Sequence, residues 1–233
     1  MQIGDLIKKT PLRVLNPLEM ESLPDHRMGL VMARAGLGKT AILVQIAMDC
    51  MLRDNKVLHV SIGEDLDKAK AWYDDIFKYI AEGFQLENAS EVEYDLMRNR
   101  MIMTFKEAAF SRAKLEERLN DLIYQNIFRP DIIVVDGYDF AAADYEAIMD
   151  LKEMMASMNV QVWFSALCHR EDDRVSAAGV PAPCHEVDGL FDTVIIVQAE
   201  KETILLNIIK DEYDGAAGKI LNLDPSTMMV KEA

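Results

Sequence analysis

ARAGLGKT, Ala33 to Thr40, is the stretch on which the reading of this chain turns. An apolar run, Met28 to Met32, leads into it, and a helix-period pattern, Ala41 to Arg53, leads out. Strand, glycine loop and helix in that order is the context of a phosphate-binding loop. Gly36 and Gly38 let backbone N–H groups turn inward where side chains would obstruct them. The helix start adds further N–H groups and the positive end of a dipole. Lys39 is placed to reach β- and γ-phosphates as a compact charge, and Thr40 to put its hydroxyl on Mg²⁺. The expected binding residues are Ala35, Gly36, Leu37, Gly38, Lys39, Thr40 and Ala41. One position departs from the full pattern, which has glycine where Ala33 stands. A glycine-rich turn without a ligand is the competing reading.

Working outward, the 233 residues are 50% hydrophobic and 28% charged, which fits one globular α/β domain. No apolar run approaches the roughly 20 residues of a membrane span, and the start MQIGDLIKKTPL lacks a signal-peptide core. Cys50, Cys168 and Cys184 are sparse, without zinc spacing, so reduced thiols in a cytoplasm are expected. A net charge of −15 repels nucleic acid and disfavours a broad DNA-binding face, leaving room only for a local basic groove.

Residues 1–27, broken by Pro11, Pro17 and Pro24, read as a lead-in packed on the core edge, and 28–233 as the domain. Ile42, Leu43, Ile46, Ala47, Cys50 and Met51 form a helical stripe, with Asn55 as the left-handed residue at its end. VLHVSI, 57–62, reads as a buried strand. A helix capped by Asp65 follows, its inner face Ala69, Trp72, Tyr73, Ile76, Phe77 and Ile80, with Gly83 as its stop. Residues 84–100 read as a loop with a short helix and MIMTF, 101–105, as a strand. The next helix is capped by Ser111, with Leu115, Leu119, Leu122 and Ile123 inward. DIIVVD, 131–136, is the clearest strand. A helix capped by Asp144 presents Ile148, Leu151, Met155 and Met158, and VQVWFSAL, 160–167, is a further strand. Residues 168–190 hold no clear element, and the span 168–187 is expected to be mobile until a partner binds. DTVIIVQ, TILLNIIK and KILNLD are strands at hairpin spacing, with a last short strand near Met228. The alternation predicts a mainly parallel sheet flanked by helices, with a C-terminal antiparallel extension.

A phosphate loop needs a carboxylate on the metal side. Asp136 ends its strand at the edge where open α/β sheets bind ligands, and is the candidate. The alternative is an Asp that only opens the turn Asp136-Gly137. Hydrolysis needs a base to deprotonate water, and Glu64, just past the strand after the loop helix, is the candidate, with Glu171 and Asp172 in reserve. Glu64 also fits an ordinary surface carboxylate.

Together, ARAGLGKT, Glu64, IIVVD, SALCHR and ILLNIIKDEYDGAAGKILNLD resemble a RecA-type P-loop ATPase core, most closely its KaiC-like and DnaB-helicase-like branch, over roughly residues 28–231. The resemblance implies a RecA-like P-loop NTPase fold, ATP and Mg²⁺ as cofactors, and assembly into a homo-oligomer, a hexameric ring in such relatives. It implies catalytic roles for Lys39 and Glu64, Mg²⁺ on Thr40 and Asp136, and for Lys210 the part of a lysine that reaches a neighbour's γ-phosphate. Two positions depart. Relatives carry a second basic residue where this chain has Glu212, and helicases of the branch carry glutamine where it has Ala166. Two main readings remain side by side: a slow Mg-dependent ATPase, and a nucleotide-binding switch or scaffold without efficient turnover. A phosphate-loop kinase and a DNA-acting helicase or recombination motor are further alternatives.

Overall fold

The computed structural model describes Gly4, Leu6 and residues 11–15, 27–169, 171–201, 203–213 and 215–231. Its framework is one nine-stranded sheet. The strands are β1 (Met28–Ala33), β2 (Val57–Ile62), β3 (Arg100–Phe105), β4 (Ile132–Asp136), β5 (Gln161–Leu167), β6 (Thr193–Glu200), β7 (Thr203–Asp211), β8 (Ile220–Leu223) and β9 (Val230–Lys231). Their spatial order is β3-β2-β4-β5-β1-β6-β7-β8-β9. Pairings from β3 across to β6 are parallel, and those from β6 to β9 antiparallel. The expected α/β architecture, mainly parallel with an antiparallel C-terminal extension, is present.

Five helices fill the crossovers: α1 (Lys39–Leu52), α2 (Leu66–Gly83), α3 (Ala89–Met97), α4 (Arg112–Tyr124) and α5 (Tyr145–Ser157). β1, β2, β4 and β5 are buried on both faces, which explains why they read as unbroken apolar runs rather than alternating ones. One core layer joins Val31, Val57, Val134 and Trp163 to α1, α2 and α3. The other joins Leu30, Val60, Val135 and Phe164 to α4 and α5.

Helix starts follow the side-chain capping chemistry read in the sequence. Asp65 accepts from Lys68 N at 2.8 Å, Ser111 from Lys114 N at 3.3 Å and Asp144 from Ala147 N at 2.8 Å. Helix ends differ from expectation. The left-handed residue after α1 is Asp54 (φ 64°) rather than Asn55, whose side chain instead donates to Cys50 O. After α2 it is Gln85 (φ 49°), with Gly83 still inside the helix. The inner faces are also narrower or shifted. Trp72, Leu122, Ile123 and Met158 are only partly buried, while Met154 is fully inside.

α1 is buried all round from Ala41 to Leu52, not along one stripe. Each of its Ile, Leu and Val side chains contributes roughly 1.5–3 kcal/mol by leaving water. Its outer side is covered by Leu6, Leu12 and Leu15 of the lead-in and by the C-terminal strands. Gln45 on α1 donates to Met228 O and accepts from Val230 N, fastening β9 to the helix. The breaks expected at Pro17 and Pro24 lie outside the described residues.

A second clamp closes the opposite end of the sheet. Arg27, fully buried, donates to Leu15 O (2.7 Å), Thr193 Oγ1 (2.9 Å) and Asp211 Oδ1 (2.5 Å). Its guanidinium also faces the rings of Trp163 and Tyr213, each at 5.6 Å. Removing one partner from such a buried pair costs about 3–5 kcal/mol.

The segment after β5 is a packed element, not the mobile loop expected from its prolines and glycine. Val175 bridges to Pro181, Ala182 N donates to Arg174 O at 2.9 Å, and Ser176 Oγ donates to Asp188 Oδ2 at 2.6 Å. Val180, Cys184, Val187 and Leu190 are buried in the layer with α4 and α5. Four apolar anchors outweigh the local irregularity. Among the described residues, no helix is long and apolar enough to cross a membrane.

Candidate functional site

Because β1, β2, β4 and β5 are parallel, Ala33, Ile62, Asp136 and Leu167 all end on one edge of the sheet. That carboxyl edge is where open α/β sheets form ligand crevices. The loop Arg34–Gly38 leaves it directly. Ala33, the departing position, is the last residue of β1 and is buried between Leu167 and Val197, so it belongs to the strand. Gly36 and Gly38 have φ of 78° and 86°, the left-handed region glycine enters without strain. Gly38 caps α1 with no side-chain hydrogen bond, so the first N–H groups of α1 stay open to an incoming anion. Ala35 and Gly36 are exposed, Leu37, Gly38, Lys39 and Thr40 half-buried, and Ala41 buried, facing the core rather than the loop.

Behind the loop, the Thr40 hydroxyl donates to Asp136 Oδ2 at 2.6 Å. The other carboxylate oxygen, Oδ1, accepts from Ser165 Oγ on β5, and Ser165 Oγ also accepts from Gly137 N at 3.3 Å. Gly137 has φ 89°, and a Cβ there would meet Ile62 O at 2.3 Å, so the turn after β4 can press against β2 only as glycine. Burial lowers the Lys39 ammonium pKa, with the Asp136 carboxylate pulling the other way. Among the described residues no hydrogen bond or ion pair holds that ammonium. A half-buried cation beside open helix N–H groups is a fit for phosphate oxygens.

Asp136 stands on the wall shared by two clefts. One, about 360 Å³, is lined by Thr40, His59, Ser61, Glu64 and Lys68 among others. The other, about 300 Å³, includes Lys39, Tyr138, Ser165, His169 and Pro183. A larger cavity of about 670 Å³ lies on the far side of the loop, toward β6, with Arg34, Cys168, Asp172 and Gln198 on its walls. The two smaller clefts hold the convergent polar groups, and they define the site.

Glu64 lies at the mouth of the 360 Å³ cleft, its carboxylate 2.5 Å from Lys68 Nζ. Both side chains are about half exposed, so this pair is worth under ~1 kcal/mol and opens easily. The reserve carboxylates lie elsewhere. Asp172 is held at a pKa of about 2 by hydrogen bonds from Arg174 and faces the larger cavity, and Glu171 is exposed. Lys210 is far from its own loop. It is in register with Val194, which pairs with Leu30, so it sits toward the opposite edge of the sheet. Its ammonium donates to Phe191 O at 2.5 Å and pairs with Glu212 at 3.0 Å. Ala166 points into the core, away from the clefts, while its neighbour Ser165 takes the carboxylate.

Nothing in the sequence pattern marks His59, Ser61, Ser165 or His169 as site residues. Their signal was slight: single polar residues inside or just after apolar strands. Among the described residues, no group of three or more His, Cys, Asp or Glu forms a protein-only metal centre. The Thr40–Asp136 pair is instead a two-point oxygen site, which suits Mg²⁺ when waters and phosphate oxygens complete its shell.

No protein-family model matches this sequence, and neither does any curated protein.

Proposed function

We propose that the chain binds ATP with Mg²⁺ on the Ala33–Thr40 loop and hydrolyses it slowly, as a RecA-type P-loop ATPase of the KaiC-like and DnaB-helicase-like branch. One observation carries the reading: a half-buried Lys39, unpaired among the described residues, and a Thr40–Asp136 hydroxyl–carboxylate pair meet where a glycine loop opens onto the carboxyl edge of a parallel sheet. In this reading Lys39 and the α1 N–H groups bind β- and γ-phosphate oxygens. Thr40 and Asp136 would hold Mg²⁺, which when bound neutralises phosphate charge. Ser165 fixes the Asp136 carboxylate. Glu64, released from Lys68, accepts the proton of the attacking water.

The deciding experiment titrates ATP and ADP, with Mg²⁺, into wild type and Lys39→Ala and follows phosphate release. Wild type should bind and turn over; folded Lys39→Ala should lose affinity or turnover. Equal binding and equal turnover in the two proteins rejects the proposal.

A second reading, a nucleotide switch without efficient turnover, is favoured by one set of contacts. Glu64 and Lys210, the residues assigned to chemistry, are each engaged within the chain. Assembly into a ring, hexameric by resemblance, would require Lys210 to leave Phe191 O for a neighbour. The acidic surface favours weak assembly, and argues against a DNA-acting motor. Three free cysteines fit a reducing compartment, the cytoplasm.

A further inference from the structure

His59 is an unusual residue to find in the middle of β2. It is 1% exposed, flanked in the sheet by Ile102 and Val134, yet it forms part of the floor of the 360 Å³ cleft with Thr40, Ser61 and Asp136. A buried imidazole needs partners for both nitrogens. Nδ1 lies 3.1 Å from the Tyr73 hydroxyl on α2. Tyr73 is fully buried, and burial pushes its phenol pKa up, so it keeps its proton. Among the described residues, His59 Nδ1 is that hydroxyl's one partner, so the hydroxyl donates and Nδ1 accepts. An imidazole that accepts at Nδ1 is the neutral form, and burial favours that form. A neutral imidazole that accepts at Nδ1 carries its proton on Nε2. Nε2 has no hydrogen-bond partner among the described residues, and the ring is part of the cleft's lining.

A second stack holds this geometry. Arg100 lies over the Tyr73 ring at 4.6 Å, and the Tyr73 and His59 rings meet edge to face at 5.6 Å. The cleft also contains Glu64, Lys68 and Glu107 toward its mouth. Around His59 the acceptor already present, Asp136, is engaged by Thr40 and Ser165. A fixed N–H donor, set beside the pair that would meet the outer phosphates, lacks only an acceptor oxygen.

Resting on the ATP reading above, we infer that His59 reads the third phosphate: its Nε2–H donates to a terminal phosphate oxygen of a nucleoside triphosphate, with Tyr73 fixing the tautomer. The class of ligand is a nucleoside triphosphate in preference to a diphosphate.

The test measures binding of ADP and of the non-hydrolysable β,γ-imido analogue of ATP, both with Mg²⁺, by calorimetry. His59→Leu should weaken the analogue by roughly tenfold to hundredfold, the range for a hydrogen bond to a charged group, and leave ADP within about twofold. His59→Gln, whose amide nitrogen reaches near the Nε2 position, should recover part of the loss. Tyr73→Phe should lose part of the preference with the ring still in place. The free wild-type protein gives an independent measurement by ¹⁵N–¹H NMR of its imidazoles. His59 should appear as the Nε2–H tautomer, and that resonance should shift with the analogue and not with ADP. Equal losses for both nucleotides, an unshifted resonance, or the Nδ1–H tautomer overturns the inference while ADP binding keeps the nucleotide site intact. A wild-type chain that binds neither nucleotide overturns both.

Discussion

Thr40 and Asp136 are joined hydroxyl to carboxylate at 2.6 Å, linking the first turn of α1 to the last residue of β4. The contact crosses from a helix end to a strand end, and Ser165 completes it from a third element. Asp136→Asn preserves the shape and removes the charge, so the Mg²⁺-dependent part of ATP affinity should fall while metal-free affinity changes little. Ser165→Ala should weaken Mg²⁺ by roughly tenfold to hundredfold, as loss of an outer-shell partner does. Titrations with and without chelator separate the two components. Unaltered Mg²⁺ dependence in both variants would remove Asp136 from the metal side.

Glu64→Gln keeps the size and loses the base. Nucleotide affinity should stay near wild type and turnover should fall by roughly 10²–10⁴-fold. Lys68→Ala frees the carboxylate from its exposed pair and should leave turnover equal to or faster than wild type. Phosphate release measured at saturating ATP decides. Turnover as fast in Glu64→Gln as in wild type assigns the base elsewhere.

Lys210 is tied to Phe191 O and Glu212. Lys210→Ala should therefore lower the melting temperature by a few degrees, since ~1 kcal/mol moves a chain of this size by about 2–4 °C. Its effect on turnover should appear only where light scattering with ATP and Mg²⁺ detects assembly. A loss of turnover in a strictly monomeric sample would contradict an action across a subunit boundary.

Cys168 lines the cavity beside the loop, whereas Cys50 and Cys184 are buried. Alkylation should therefore reach Cys168 first, and bound nucleotide should slow it. Burial raises the Cys168 thiol pKa, and Lys39 and Arg34 partly offset that. The reaction rate should keep climbing as pH passes the ordinary thiol range, because the thiolate is the nucleophile. Lys39→Ala removes an offsetting charge and should slow alkylation at neutral pH. In parallel, limited proteolysis of the free protein should spare residues 171–190, given the burial of Val180, Cys184 and Val187. Mass spectrometry reads both outcomes.

What could be read in advance divides along physical lines. Continuous apolar runs and N-cap carboxylates or hydroxyls act through neighbours in sequence, so β4, α2, α4 and α5 were legible, along with the loop and Asp136. Helix ends were less so: the left-handed residue falls at Asp54 and Gln85, close to but not at Asn55 and Gly83, because the point where a helix stops is set by packing as well as by residue type. In the 168–190 segment prolines and a glycine mark irregular backbone, while its order comes from contacts with distant helices, which no local pattern carries. His59 and Ser165 were invisible as site residues for the same reason. A polar side chain within a strand acquires its meaning only from what the sheet order puts opposite it, here Tyr73 and Asp136.

The buried Arg27 clamp ties the chain before β1 to the body of the sheet. A fragment cut at residue 28 would keep every residue assigned to nucleotide binding. It would also leave the Asp211 carboxylate without its guanidinium at the base of the sheet, and bare the outer side of α1 where Leu6, Leu12 and Leu15 had been. The helix that presents the loop is thus insulated from water by the chain that precedes it, and its dry environment depends on residues that lie before the strand leading to the site.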